Sequence, residues 1–263
     1  MAERHNYVYV GHGVSGETLA VSGMQQGANI VTVKFTDATL TNGTNHAVVI
    51  TQSFKPKRGR GYISVELSNG VVGMLYFSEN STNANTFKPT NLSKPLAVDT
   101  TYEYRAIKPD FINQGEGLYY FDIGKNNMSY AETAQDIVDA QQEMIDYIPE
   151  GSEYLVGGHF VNAGTSGSGY ANKVVAVNQL LKLRYGLRFC DYYDFLYDDA
   201  VWTKYGITKT AEDITAIAAG ELPPSLGRDI GTGTRDVAHL RDEMSAEIAL
   251  QAEARFIKLG YFS

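Results

Sequence analysis

The apolar residues of this 263-residue chain change their period once, near residue 110, and that change limits the fold more than any other feature. Across residues 30–108 the sequence runs in short alternating stretches such as Thr32-Val33-Lys34-Phe35 and Tyr62-Ile63-Ser64-Val65-Glu66-Leu67. A period of two places every second side chain on one face of a strand. Asn42-Gly43 and Asn69-Gly70 interrupt these stretches as hairpin turns do, because Asn and Gly accept the positive φ such turns require. The region reads as a small antiparallel β-domain.

Beyond residue 111 the pattern becomes one of strands alternating with helices. Residues 118–123 form a compact apolar run suited to a buried strand, which delivers Gly124-Lys125-Asn126-Asn127 at its carboxyl end. Ser129 and Glu132 have the spacing of a capping box, and Ala134, Ile137, Val138, Met144, Ile145 and Ile148 mark one helical face before Pro149 and Gly151. Strands are expected over 154–157 and 187–192, with a helix over 171–185 between them. A short helix over 210–219 follows, and a last one from Asp242 sets Met244, Ile248, Ala252 and Phe256 in one strip before Gly260. Repeated β-α units imply a parallel sheet covered on both faces, a three-layer α/β fold. Tyr7-Val8-Tyr9-Val10 reads as a strand running into Gly11-His12-Gly13. The α/β domain is therefore expected to comprise 1–29 and 109–263, interrupted by an inserted β-sandwich or jelly-roll-like domain over 30–108.

Charge narrows the partners. A formal charge of −8 and a pI near 5.1 leave no cationic stripe to displace phosphate counterions, so a nucleic-acid partner is not expected. The basic cluster Lys55-Pro56-Lys57-Arg58-Gly59-Arg60 reads as a solvated turn. No signal peptide and no stretch of some 18 apolar residues is found, so neither export by that route nor a membrane span is expected. Cys190 is the one cysteine and lies in an apolar run, as a buried, inert thiol would. His5, His12, His46 and His159 are scattered without ligand spacing, so neither a metal nor another cofactor is expected.

Three segments could carry chemistry. Asp236 and His239 are three residues apart, close enough for the carboxylate to fix the imidazole tautomer and to stabilise the imidazolium formed when the ring removes a proton. A plain capping or surface pair is the alternative. Asn126 follows a predicted strand, and its amide could donate to a developing oxyanion; equally, Asn126 and Asn127 could only serve a turn. Gly16, in Gly13-Val14-Ser15-Gly16-Glu17-Thr18, offers an unobstructed backbone N–H, or a tight turn. Ser166 and Ser168, in Gly164-Thr165-Ser166-Gly167-Ser168-Gly169, do not satisfy a nucleophile elbow and read as a mobile or substrate-contacting loop.

Taken in order, Gly13 to Thr18, Ile123-Gly124-Lys125-Asn126-Asn127 and Asp236-Val237-Ala238-His239-Leu240 resemble blocks II, III and V of the SGNH (GDSL-type) hydrolases. The likeness is closest to SGNH domains of phage tail fibres and tailspikes and of carbohydrate O-acetylesterases, and it extends to Met24-Gln25-Gln26-Gly27 and Leu222-Pro223-Pro224-Ser225-Leu226. It implies a flavodoxin-like three-layer fold, with Asp236 and His239 as acid and base of a Ser-His-Asp triad and Gly16 and Asn126 as oxyanion donors. Ser15 stands where the family commonly has Gly, and Arg241 where it commonly has Asn. Block I, the Gly-Asp-Ser segment with the nucleophile, is missing from this chain. The resemblance thus implies a serine esterase, complemented by a second chain that supplies the first strand and its serine, acting on O-acetyl groups of a bacterial surface polysaccharide from an oligomeric virion protein. The other reading is a non-catalytic glycan-binding or structural virion module on the same scaffold.

Overall fold

The computed structural model describes residues 18–28, 31–50, 62–77, 85–107, 115–231 and 233–261. They fall into two compact units: one holds 117–138 and 152–261, the other the described parts of 12–116 together with 139–151.

In the second of these, helix α1 (Leu19–Gln26) precedes eight strands. They are β1 (Val31–Phe35), β2 (Thr39–Leu40), β3 (His46–Ile50), β4 (Tyr62–Leu67), β5 (Val72–Tyr76), β6 (Asn85–Pro89), β7 (Leu96–Ala97) and β8 (Tyr104–Ile107). Six close into an antiparallel barrel in the order β1-β3-β6-β5-β4-β8, while β2 pairs with β7 beside it. Alternation does the work: Val31, Val33, Phe35, Val48, Ile50, Ile63, Val65, Leu67, Leu75 and Phe87 are all buried. Each such side chain contributes about 1.5–3 kcal/mol by leaving water. Phe35 meets Phe87 and Tyr104 edge-on, at centroid distances of 5.8 and 5.6 Å. A Cβ at Gly73 would collide with the Phe87 ring of the neighbouring strand, so the missing side chain there makes room for that ring. The expected sandwich or jelly roll is corrected to a barrel, because β8 bonds to β1 on one edge and β4 on the other and leaves the ladder no place to open.

His46 is the polar exception in this core at 5% exposed. The Thr41 N–H donates to its Nε2 at 2.9 Å, so the ring proton sits on Nδ1, 2.8 Å from Asp37 Oδ2. Both ring nitrogens are thereby satisfied, which is what burial demands of them.

The other unit contains β9 (Leu118–Phe121), a 3-10 turn (Lys125–Ser129), the start of α2 (Ala134–Asp146), β10 (Glu153–Gly157), α3 (Gly169–Tyr185), β11 (Phe189–Cys190), α4 (Tyr192–Leu196), α5 (Asp199–Lys204), α6 (Ala211–Ala218), β12 (Gly227–Asp229), β13 (Arg235–Leu240) and α7 (Asp242–Lys258). Leu155, Phe195, Leu196, Trp202, Leu222, Met244 and Phe256 share its core. The three-layer, flavodoxin-like parallel sheet of the SGNH resemblance is not what these residues build. Among the described residues parallel ladders are confined to one sheet, β11-β10-β9, with one isolated parallel bridge between Val161 and Glu221, and the largest sheet is the antiparallel barrel. Two local events limit it. Asp191 accepts from Tyr193 N at 3.0 Å and caps α4, so the apolar run expected as a six-residue strand leaves the sheet after Cys190. The segment before the last helix pairs antiparallel as β12 and β13 and adds nothing to the parallel ladder. The α2 cap also moves: Thr133 and Asp136, rather than Ser129 and Glu132, exchange side-chain and backbone bonds at 3.1 and 2.8 Å.

Candidate functional site

Ionisable groups gather beyond the carboxyl ends of β9 and β10. Asp122 follows β9 directly, Gly124 turns the chain at φ 102°, and Lys125 opens the 3-10 turn. The Tyr120 and Tyr192 hydroxyls bond to each other, and Tyr192 also bonds the Asp122 carboxyl. A Cβ on Gly157 would lie 2.6 Å from the Tyr192 oxygen and 2.9 Å from that of Tyr120, so only glycine lets β10 pass beneath this pair. Asp122 keeps one face open to solvent, but protein crowds the rest. That crowding raises its pKa above the ordinary carboxyl range, opposed by the Tyr192 hydroxyl and the Lys125 charge. Burial drives both tyrosines well above 10.

His159 lies just past β10 and is 2% exposed. Asn178 of α3 holds its backbone from both sides, accepting from the N–H at 2.9 Å and donating to the carbonyl at 2.6 Å. Burial, then the neighbouring Lys125 charge, brings the imidazole pKa down to about 3, against a bond from the ring to the Ile123 backbone. Its Nε2 has no partner.

Asp236 and His239 occupy β13. Residues three apart on a regular strand point to opposite faces. The ladder slips here, with Gly227 opposite Leu240 but Asp229 opposite Arg235. Within the irregular stretch Asp236 Oδ1 accepts from Ala238 N at 2.8 Å and His239 N at 3.1 Å, curling the backbone around the carboxylate. That curl brings His239 Nδ1 to 2.9 Å from Asp236 Oδ2, which also receives Arg228 at 3.1 Å. A Cβ at Gly227 would strike the Asp236 carbonyl oxygen, so the neighbouring strand is glycine where the curl presses on it. The Ala238 N–H leads the groups that hold the Asp236 pKa down to about 2, with the His239 ring assisting. The carboxylate side chain is 15% exposed and the imidazole 59%, so the acceptor is sheltered and the ring accessible.

Lys125 joins these two groups. Its Nζ donates to Ala238 O at 3.1 Å and stands 3.1 Å from the centre of the Phe160 ring. Burial lowers its pKa to about 7, opposed by the charges of Asp122 and Asp236. The 3-10 turn that carries Asn126 therefore lies against the segment that carries the Asp236–His239 pair.

Of the residues expected from sequence, Asp236 and His239 meet and Asn126 sits exposed on the adjoining turn. Gly16 lies outside the described residues, as do Ser15 and the basic cluster at 55–60. The loop of Ser166 and Ser168 is anchored: Glu221 accepts from Gly164 N at 2.8 Å and from Ser166 N, and Ser168 caps α3 by accepting from Ala171 N at 3.1 Å. Cys190 is buried, and burial raises its thiol pKa to about 11. Sequence reasoning passed over Asp122, Lys125, His159 and Tyr192. Position at a strand's carboxyl end was the available signal for Asp122, Lys125 and His159; Tyr192 falls inside the strand expected over 187–192, so nothing local marks it.

No protein-family model matches the chain, and no curated protein matches it. Among the described residues no helix is long and apolar enough to cross a membrane, and no three His, Cys, Asp or Glu side chains group so as to hold a metal ion.

Proposed function

We propose that this chain is the acid–base half of a serine esterase with SGNH-like site chemistry. A second chain supplies the nucleophilic serine, and the substrate is an O-acetylated bacterial surface polysaccharide met by a phage tail. The observation that carries the reading is the 2.9 Å contact from His239 Nδ1 to an Asp236 carboxylate held ionised down to about pH 2. A proton fixed on Nδ1 leaves Nε2 as the base, and Asp236 stabilises the imidazolium that results. In the acyl transfer, Nε2 takes the serine proton as its oxygen attacks the acetyl carbonyl. The imidazolium gives that proton to the sugar oxygen as the acyl C–O bond breaks, releasing the sugar hydroxyl and leaving an acetyl-serine, and water then attacks this ester by the same steps to release acetate. The Asn126 amide serves as a donor to the tetrahedral oxyanion.

The test is acetyl release from p-nitrophenyl acetate and from O-acetylated capsule by this chain combined with the neighbouring-gene product. Hydrolysis by the pair that falls about a thousandfold or more in His239→Ala is expected. A folded pair without hydrolysis defeats the reading.

A glycan-binding module is the second reading, favoured by one observation. Tyr62 and Tyr76 face each other across β4 and β5 with rings 5.4 Å apart, and Tyr62 is 43% exposed. Exposed tyrosine faces suit sugar stacking. Binding on a glycan array that survives His239→Ala and disappears in Tyr62→Ala supports it.

A further inference from the structure

The short strand bearing Asp236 and His239 has no helix turn to hold its curl, and four kinds of bond could: the carboxylate's own backbone contacts, Arg228, the Ala163 N–H on the Val237 carbonyl at 3.0 Å, and Lys125. The last two come from distant parts of the chain, and Lys125, 113 residues away, is the one that brings a charged side chain. Arg228 is 55% exposed at its side chain, so its pairing with Asp236 is loosened by water and salt. Lys125 is differently placed. Its ammonium is wedged between the Ala238 carbonyl and the Phe160 ring, and charge-assisted bonds in such sheltered sites are among the stronger polar contacts. Ala238 lies between the two members of the pair, and its N–H is already committed to Asp236. With its carbonyl gripped as well, the peptide units on both sides of Ala238 have little freedom to rotate.

We propose that Lys125 is a positioning residue: by bonding the Ala238 carbonyl it locks the curl of residues 236–239 and keeps His239 Nδ1 on Asp236. The inference rests on the esterase reading only where turnover is concerned; the geometry it asserts holds with or without a nucleophile. Retention of a lysine where burial lowers its pKa to about 7 fits such a role, since a hydrophobic side chain would pack on Phe160 without that cost. Lys125 also opens the turn bearing Asn126, so one ammonium sets the spacing between the proton-transfer pair and the amide proposed to meet the oxyanion.

The experiment compares Lys125→Met, which keeps the length and loses the donor, with Lys125→Arg, which keeps charge, donors and the ability to stack. The first readout is nuclear magnetic resonance of His239 in this chain alone. In the parent the two ring-nitrogen shifts report which nitrogen carries the proton and so the Nδ1 bond to Asp236. Loss of that shift pattern in Lys125→Met and its return in Lys125→Arg are expected. A His239 spectrum unchanged in a folded Lys125→Met overturns the proposal. So does a parent protein whose Lys125 side chain gives no nuclear Overhauser contacts to Ala238 and Phe160, a measurement that needs no variant to fold. The second readout is hydrolysis by the complemented pair, where kcat falls about tenfold or more in Lys125→Met with KM nearly unchanged. A complemented pair without hydrolysis, alongside the expected spectra, removes the esterase reading and leaves the positioning role standing.

Discussion

The barrel and the α/β unit bury polar groups in opposite ways. In the barrel His46 is enclosed with both ring nitrogens bonded, one to Asp37 and one to Thr41, inside a core otherwise built of Val, Ile, Leu and Phe. The α/β unit encloses Lys125, His159, Tyr120 and Tyr192 around an Asp122 whose carboxyl pKa is raised, and His159 Nε2 is left without a partner. Satisfied burial fixes a shape. Displaced pKa values gathered at the ends of strands are an arrangement that sites of proton transfer use, so the contrast sets a region of fully bonded burial beside one of shifted ionisation.

Three measurements test that contrast, beginning with the largest effect. Phe87→Ala removes the ring around which the barrel packs and should cost about 4 kcal/mol in urea unfolding, while the His239 Nδ1 signal stays as in the parent. A change in that signal would break the contrast. The second is acid sensitivity. The folded-state pKa of His159 lies near 3, below its unfolded value of about 6.5. The unfolded chain therefore binds the extra proton first, so stability from this group is complete above pH 6.5 and lost as the pH falls towards 3. His159→Gln should flatten the stability profile over that interval, as read from denaturant midpoints at successive pH values. An unchanged slope would place the acid sensitivity elsewhere. The third is Gly227→Ala, where overpacking against the Asp236 carbonyl should cost about 2 kcal/mol and disturb the His239 Nδ1 signal without affecting the barrel.

How much of this could be read from sequence depended on the range of the interactions. Helix α6 was legible as a short helix over 210–219, which the structure caps with Thr210 and Asp213, and α7 because Met244, Ile248, Ala252 and Phe256 recur at helical spacing. Hairpin β4–β5 was legible from Asn69-Gly70, where Gly70 takes φ +81°. The closure of β1 on β8 was not, since Val33 and Tyr104 lie far apart in sequence and no local residue specifies their meeting. The same holds for the extent of the parallel sheet, which ended at Cys190 because Asp191 found a backbone N–H to cap. At the site, the Asp236–His239 spacing was visible, but the curl that brings the two together depends on Gly227 of another strand. Lys125 looked like an ordinary charged turn residue because the ring that shelters it, Phe160, belongs to a different segment.

The seam of the barrel has a consequence for synthesis. Because β1 waits for β8, the chain emerging from a ribosome carries an unfinished ladder with bare backbone donors and acceptors until residue 107 has cleared the exit tunnel. Translation that stalls or ends before that point leaves fragments with adhesive strand edges, whereas every copy that passes it seals those edges within itself.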